Sequence, residues 1–460
     1  MSAPSAEALV ARLRATYDAG RTRDLDWRRE QLAALSRMLT ENETAILDAL
    51  AQDLGKPRFE AWAGDVAASA KEADHLRKHV GSWARNQSAS VPWNFRPGRA
   101  HVEYQPRGVV LVVAPWNYPV YLLATPLAAA LAAGNAVICK PSELAPATSG
   151  LITKLAAEYL DQDAIAFVEG GVEETTDLLE QRFDHILYTG NGTVGRIVAA
   201  AAARHLTPVT LELGGKSPAI VDRDANLKQA ASRIAFAKWS NAGQTCIAVD
   251  HAYVHHDVHD QFVAMLATEV RERYGEDPQA SPDFGRIVSE RHARRISNLL
   301  DGGGYDAVAV GGEVDVEACY VSPTILTGVK PDAPIMGEEI FGPVLPIIGF
   351  TDISEPLAEI NRGDHPLALY VFAKANADRV LAETTSGGAC VNDAMAQIFA
   401  PSLPFGGVGE SGYGSYHGKW GFETFSHRRA VFRRPGFFVE PPVLKAPYTD
   451  FKQRLARLFF

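Results

Sequence analysis

The sequence predicts a parallel α/β protein of more than one domain. Three observations carry that expectation. From Val109 onward, short apolar runs alternate with helix-like stretches, the pattern of successive βα units. The early runs are continuously apolar rather than alternating, as strands covered on both faces must be. A chain of 460 residues also exceeds what one ordinary core accommodates, so two or three domains are expected.

Residues 6–85 read as helices. Leu9, Val10, Leu13 and Tyr17 fall at helical spacing, and Leu25, Leu32, Leu35 and Leu39 repeat it through 24–39. Asn42-Glu43-Thr44 opens another helix, and 60–83 is a further long one. Pro92, Pro97 and Pro106 make 85–107 extended or connecting chain. The run 109–113 is the first strand of the sheet. A helix over 122–133 follows, closed by Gly134-Asn135, residues suited to a helix end. Strands at 136–139, 166–168, 185–188 and 209–213 come next, with helices at 147–160, 174–179 and 195–203 between them. Through about residue 210 this is a nucleotide-binding type of sheet.

The alternation then resumes less regularly. Strands are expected at 219–221, 252–254, 344–348, 369–372 and 389–391, and helices at 227–240, 258–273 and 289–300. A second α/β domain over about 211–400 follows from them. After Arg429 the chain is Pro-rich, then amphipathic over 451–460. The basic face of that tail could meet a membrane surface, but docking on its own domain is the favoured reading.

Composition narrows the class. Hydrophobic content of 47% and charged content of 22% are those of a folded globular protein. A net charge of −10 lacks the basic footprint of general nucleic-acid binding. Met1-Ser2-Ala3-Pro4-Ser5 has no basic region leading into an apolar core, so no secretory signal is expected. No apolar run reaches the roughly 18 residues of a membrane helix. Cys139, Cys246, Cys319 and Cys390 are scattered without C-x-x-C spacing, which fits reduced thiols in a cytoplasm.

Several motifs fail their context. Gly407-Val408-Gly409-Glu410-Ser411-Gly412 spells G-x-G-x-x-G, but prolines precede it where a dinucleotide fingerprint needs a strand. Gly215-Lys216-Ser217 resembles the end of a phosphate loop, yet Thr210 stands where that loop needs glycine. His251, His255, His256 and His259 lack an acidic frame, and Ala252-Tyr253-Val254 between them reads as a strand, so no metal is expected. No His near Cys246 is marked out as the partner of a Cys protease.

What remains points to strand ends. Pro115-Trp116-Asn117-Tyr118-Pro119 leaves the first strand, where α/β sheets bind ligands, and the Asn117 amide could donate to an oxyanion. Lys140 and Glu143 leave the next strand; they could grip sugar hydroxyls, although a surface ion pair is the ordinary explanation. Thr189-Gly190-Asn191-Gly192-Thr193-Val194-Gly195 opens a helix, a ready phosphate site. Glu212 ends an apolar run before Gly214-Gly215, and Cys246 follows Asn241-Ala242-Gly243-Gln244-Thr245. A thiol and a carboxylate on separate elements are the parts of a nucleophile and its base, although a lone Cys is more often inert and buried.

Together with Glu338-Glu339-Ile340-Phe341-Gly342-Pro343 and residues 404–414, these motifs resemble, in order and over nearly the whole chain, the aldehyde dehydrogenase superfamily. Gly20-Arg21-Thr22-Arg23 and Ala446-Pro447-Tyr448-Thr449 look like its class 3 branch, which includes fatty, aromatic and coniferyl-type aldehyde dehydrogenases and is commonly dimeric. The resemblance implies a Rossmann-like NAD(P)-binding domain over 1–210 with a bridging segment at about 85–107. It implies a catalytic domain over 211–400, and a return to the cofactor domain, bridging segment and tail over 401–460. It implies Cys246 as nucleophile, Asn117 and the Cys246 N–H as oxyanion donors, and Glu212 as the base for hydrolytic water. Lys140, Glu143 and Glu339 would meet the cofactor riboses and Phe341 the nicotinamide. Gly190 and Gly195 would admit the pyrophosphate, and Trp116, Thr189, Leu213 and Gly214 would complete the cofactor site. Lys216 would support local structure. Glu143 should repel a 2′-phosphate, which argues for NAD, with NADP use left open.

The expected activity is hydrolytic oxidation of an aldehyde by a cytoplasmic homodimer. A CoA-acylating semialdehyde dehydrogenase and a non-catalytic binding protein are the alternatives. The sequence does not choose the aldehyde: Tyr118, Trp239, Ile398 and Phe405 lie near the motifs, but core packing explains each as well.

Overall fold

Five consecutive apolar residues form the strand Val109–Val113, and all five are buried. Removing one such side chain from water is worth roughly 1.5–3 kcal/mol, which makes this run a firm centre for a sheet. The computed structural model describes residues 5–439 and 441–458; the reading made at Met1–Pro4 and the Phe459-Phe460 end of the amphipathic tail lie outside them. Among the described residues, Val109–Val113 lies inside a six-stranded sheet. Its order is Gly412–Tyr413, Val209–Leu213, His185–Gly190, Val109–Val113, Ala136–Lys140, Ile165–Phe167. The last five run parallel, and Gly412–Tyr413 lies antiparallel on Glu212 and Leu211. The chain first builds outward to Ile165–Phe167 on one side, then crosses to His185–Gly190 on the other. That reversal leaves a crevice beyond the carboxyl ends of the strands.

A second sheet has seven strands among the described residues. Its order is Ala307–Val310, Thr324–Thr327, Val344–Phe350, His251–His255, Pro218–Val221, Ala368–Phe372, Gly388–Val391. All but Ala307–Val310 run parallel. The helix Tyr121–Ala133 is buried from Leu122 on, between the first sheet and the helices Leu25–Glu41 and Ala68–Trp83. It stops at Gly134, as expected. Asn135 then secures the stop: its Nδ2 donates to the Ala130 and Phe425 carbonyls at 3.0 Å each, and its Oδ1 accepts from the Gly108 N–H.

The differences from the sequence reading have local causes. The long helix expected over 60–83 is Arg58–Ala61, a π-helical turn at Trp62–Ala67, and Ala68–Trp83. A π turn shifts the face of a helix without leaving a breaker in the sequence, and such turns gather at functional sites. The 85–107 segment carries the strands Gln87–Ala89 and Arg99–Pro106, which join Ser426–Arg433 in an antiparallel sheet. Ala307–Val310 is apolar in sequence yet mostly exposed, and it slips register; it and the short buried strand Thr324–Thr327 escaped notice. In the tail, the helix Asp450–Ala456 has no fully buried residue, though Lys452, Leu455 and Ala456 are half-buried, and it meets the turn Pro442–Leu444.

Gly412 carries the strand beside Glu212 at φ +118°, and a Cβ there would drive into the Leu211 carbonyl. Gly412→Ala is expected to lower stability by about 2–4 kcal/mol. Denaturant unfolding within 0.5 kcal/mol of the parent, a margin ordinary for surface changes, would refute this account (about that size).

Candidate active site

The helix Leu227–Trp239 ends in a turn in which Asn241, Ala242 and Gly243 are all left-handed, at φ 53°, 51° and 75°. For non-glycine residues this costs about 1–2 kcal/mol each, so other bonds must hold the turn. Asn241 supplies several. Its N–H donates to Glu60 Oε2 at 2.8 Å, and its Nδ2 donates to the carbonyls of Asn117 (2.9 Å) and Gln244 (3.1 Å). Gln244 supplies the rest. Its Nε2 donates to the Asn241 and Arg286 carbonyls, and its Oε1 accepts from the Val288 N–H. A Cβ on Gly243 would strike the Gly342 carbonyl, so the turn admits only glycine there. The result delivers Cys246, half-buried, to the wall of a cavity of about 340 Å³.

Tyr118, Tyr121, Phe236, Ile398 and Phe399 give that cavity an apolar wall. Of the four lining candidates from sequence, Tyr118 and Ile398 face it. Trp239 is instead core, its indole N–H donating to the Pro343 carbonyl at 3.0 Å, and Phe405 stacks on His417 with ring centroids 5.2 Å apart. Glu60, which no sequence pattern singled out, also lines the cavity; burial pushes its carboxyl up to about 7, against the Asn241 N–H that favours the ionised form.

Glu212 ends the strand Val209–Leu213 and is 2% exposed. Neither of its oxygens meets a protein donor, and burial pushes it well above the usual carboxylate range. The neutral acid is therefore the form this geometry favours. Cys246 shares the condition. Burial, then Glu339, then Glu212 push its thiol up to about 12, with the N–H groups of Cys246 and Ile247 opposing them. Glu339 is half-buried, lies against Gly214 and accepts from the Gly215 N–H; burial pushes it up to about 8.

Asn117 is buried in the loop after Val109–Val113. One of its amide N–H bonds is spent on the Gln244 carbonyl at 3.0 Å, which leaves the second uncommitted. The neighbouring Tyr118 hydroxyl meets Thr245 Oγ1 at 3.1 Å, so the loop straddles the segment leading to Cys246. Trp116 and Phe341 meet edge to face at 5.4 Å, Phe341 in the left-handed region at φ 45°.

The other sequence-selected residues line the strand ends. Lys140 corrects the surface ion-pair explanation: its side chain is 2% exposed. Its Nζ donates to the Pro141 carbonyl at 2.9 Å, to the Gly170 carbonyl and to Glu143 Oε2 at 3.1 Å, leaving Glu143 half-exposed beside the crevice. Gly190 ends its strand and Asn191 caps the helix Gly192–Ala203, accepting from the Val194 N–H at 3.0 Å. That helix start is a place for an anion. A Cβ on Gly195 would approach Leu213 Cδ2 to 2.9 Å, and the buried Thr189 Oγ1 has no protein partner. A tight glycine cradle, an orphaned hydroxyl and an exposed carboxylate fit a dinucleotide with its pyrophosphate at the helix start and a ribose at Glu143. Lys216 is structural, its Nζ donating to Asp250 Oδ2 (2.6 Å) and to the Ile335 and Glu338 carbonyls.

Two buried residues, Lys56 and Asp65, meet the Asn117 loop and went unnoticed in the sequence. The signal available was an Asp inside an otherwise apolar run, Ala61-Trp62-Ala63-Gly64-Asp65-Val66-Ala67.

The chain matches known proteins over most of its length. The model of the "Aldehyde dehydrogenase family" matches residues 1–431. The chain is 48% identical to rat "Aldehyde dehydrogenase family 3 member A2", over 92% of this chain and 87% of the relative. It is 47% identical to rat "Aldehyde dehydrogenase, dimeric NADP-preferring", over 92% and 93%. Among solved structures, the substrate-bound state of Staphylococcus aureus AldH superposes with a TM-score of 0.95 at 40% identity, covering 100% of both chains.

The charges around Cys246 make a pH prediction. Glu339 is neutral below about 8 and anionic above it, so it opposes the thiolate only on the alkaline side. Without nucleotide, iodoacetamide alkylation of Cys246 should still be rising at high pH. Glu339→Gln should leave the rate at neutral pH nearly unchanged and raise it roughly threefold on the alkaline side. Equal acceleration at both pH values would contradict the assignment.

Proposed function

The chain belongs to the aldehyde dehydrogenase family, and on that premise we propose how its residues divide the work. It oxidises aldehydes to carboxylic acids with NAD or NADP. Nucleotide binding is assigned to residues 1–210 and the chemistry to 211–400. Residues 401–460 are assigned to a return to the nucleotide-binding part, where Gly412–Tyr413 pairs with Val209–Leu213, then to the bridging segment, where Ser426–Arg433 pairs with Arg99–Pro106, and to the tail.

Cys246 is the nucleophile. Its sulfur, once deprotonated, bonds to the aldehyde carbon, and the carbonyl oxygen takes the negative charge. The free N–H of Asn117 and the Cys246 N–H receive that charge. A nicotinamide, when bound, would supply the hydride acceptor, so that the carbon held on Cys246 is oxidised to the thioester level. Glu212, ionised, draws a proton from water as it attacks the thioester; the C–S bond breaks and the acid departs. Lys140, Glu143, Thr189, Gly190 and Gly195 would hold the adenosine and pyrophosphate side of the nucleotide. Trp116, Leu213, Gly214, Glu339 and Phe341 would hold the nicotinamide side. The observation that carries this reading is the Asn241–Gly243 turn, whose strain is held by a dedicated set of bonds and whose product is a thiol at a cavity wall.

The substrate is an apolar aldehyde, medium to long chain or aromatic, because the cavity at Cys246 is walled mostly by aromatic and aliphatic side chains, with Glu60, Arg273 and Asp283 the charged exceptions. NAD is the preferred nucleotide: Lys140 is committed to its own bonds, and Glu143 offers a carboxylate where a 2′-phosphate would need a cation. The assembly is a homodimer, a reading supported by the word "dimeric" in the name of one rat relative. A cytoplasmic location is supported by the four cysteines, all free. No described helix is long and apolar enough to cross a membrane.

Cys246→Ala should abolish aldehyde oxidation while nucleotide affinity, read by fluorescence titration, stays within about twofold of the parent. Glu212→Gln should keep the NADH burst and stall at the thioester; turnover at the parent rate would remove Glu212 from the mechanism. In a panel of aldehydes, kcat/KM should rise by on the order of tenfold from acetaldehyde to hexanal or benzaldehyde, as a few buried methylenes predict. NAD should exceed NADP in the same assay, and a reversal of either order would overturn that part of the proposal.

A further inference from the structure

Lys56 and Asp65 form an ion pair at 2.9 Å with both side chains fully buried, outside the cavity wall. Lys56 follows Gly55, which ends the helix Glu43–Leu54; Asp65 sits on the π turn Trp62–Ala67. Both reach the same loop. Lys56 Nζ donates to the Asn117 carbonyl at 2.9 Å and lies 3.9 Å from the centroid of the Tyr118 ring. Asp65 Oδ1 accepts from the N–H groups of Val120 and Tyr121, at 3.2 Å each, where the helix Tyr121–Ala133 begins. The pair therefore holds residues 117–121 at both ends. A buried ion pair is a poor source of stability, since apolar residues of similar volume often serve as well or better. Its bonds are better accounted for by what they orient than by what they add to the fold.

We propose that the Lys56–Asp65 pair is a positioning device for aldehyde oxidation. By fixing the Asn117 peptide it aims the free amide N–H of Asn117 at the oxygen that becomes negative. Asn241 assists from the other side: its Nδ2 donates to the same Asn117 carbonyl, so the loop and the turn leading to Cys246 are set against one reference atom. Catalytic donors act through distance and angle, and a displacement of ~1 Å can cost ~10² in rate. The inference rests on Asn117 acting as an oxyanion donor, and the experiment separates the two ideas.

Lys56→Met combined with Asp65→Asn removes both charges together, so neither is left buried alone. In the full-length enzyme this double variant should slow single-turnover NADH formation by ~10- to 100-fold. Its nucleotide affinity and the alkylation rate of Cys246 should stay within about threefold of the parent, a split that general loosening of the fold would not produce. Asn117→Ala should slow the same step. Adding Asn117→Ala to the double variant should cost no more than about threefold beyond Asn117→Ala alone, because residues acting through one group are not additive. Multiplicative losses, or a double variant at the parent single-turnover rate, would overturn the positioning role while leaving Asn117 as donor. Asn117→Ala at the parent rate would instead sink the donor reading, and the inference with it. If the double variant does not fold, Lys56→Met, which removes the bond to the Asn117 carbonyl and leaves an Asp65 carboxyl that can neutralise by taking up a proton, carries the same comparison; failure of both to fold would assign the pair to the fold and overturn the proposal.

Discussion

The carbonyl oxygen of Asn117 accepts from Lys56 Nζ and from Asn241 Nδ2, each at 2.9 Å. Three segments meet at that atom: the N-terminal helical layer, the loop after the central strand of the first sheet, and the turn before Cys246. A charge-assisted bond in a dry interior is strong, and an unmet acceptor there would be costly, so the three cannot shift independently. The Gln244 carbonyl repeats the arrangement, receiving both the Asn117 and the Asn241 amides. The left-handed backbone at 241–243 is tolerable because these bonds leave it no relaxed alternative.

Burial builds the cavity and also governs its acids. Glu212 has no donor, Glu339 is pushed up to about 8, and Cys246 up to about 12. Each is pushed toward its neutral form for the same reason, and the two carboxyls add to the burden on the thiol. A ligand that brings hydrogen-bond donors or positive charge into the crevice acts in the opposite direction on all three. The Cys246 thiol is thus held in place and pushed toward its neutral form by its surroundings.

Much of this was legible in the chain. Gly134-Asn135 announced a helix end because few other residues accept that backbone, and the structure adds only that Asn135 also joins Gly108 and Phe425. Most apolar runs of both sheets were visible because burial was two-sided, but the exposed strand Ala307–Val310 and the four-residue Thr324–Thr327, which carries only two aliphatic residues between threonines, were not. The motif residues could be placed at strand ends because crossover topology leaves a ligand crevice there. Lys56 and Asp65 were hidden for a different reason. A lysine after a helix-ending glycine reads as a solvated turn, and only folding shows that its ammonium points inward.

Local backbone preference and hydrophobic period, which act over a few residues, were enough to determine the α/β class, the order of most elements and which strand ends carry chemistry-bearing side chains. They also put Cys246 after a Gly-containing turn and Glu212 at the end of a strand. Tertiary structure alone decided that Glu212 is buried without a partner, that Lys140 is not a surface charge, that Trp239 and Phe405 are core while Tyr118 and Ile398 face the cavity, and that Asn117 is gripped by a lysine from a distant turn. Each of these depends on contacts between segments separated by tens to hundreds of residues. Desolvation and hydrogen-bond partnership are set by what surrounds a group in space, and no local pattern in the chain encodes that.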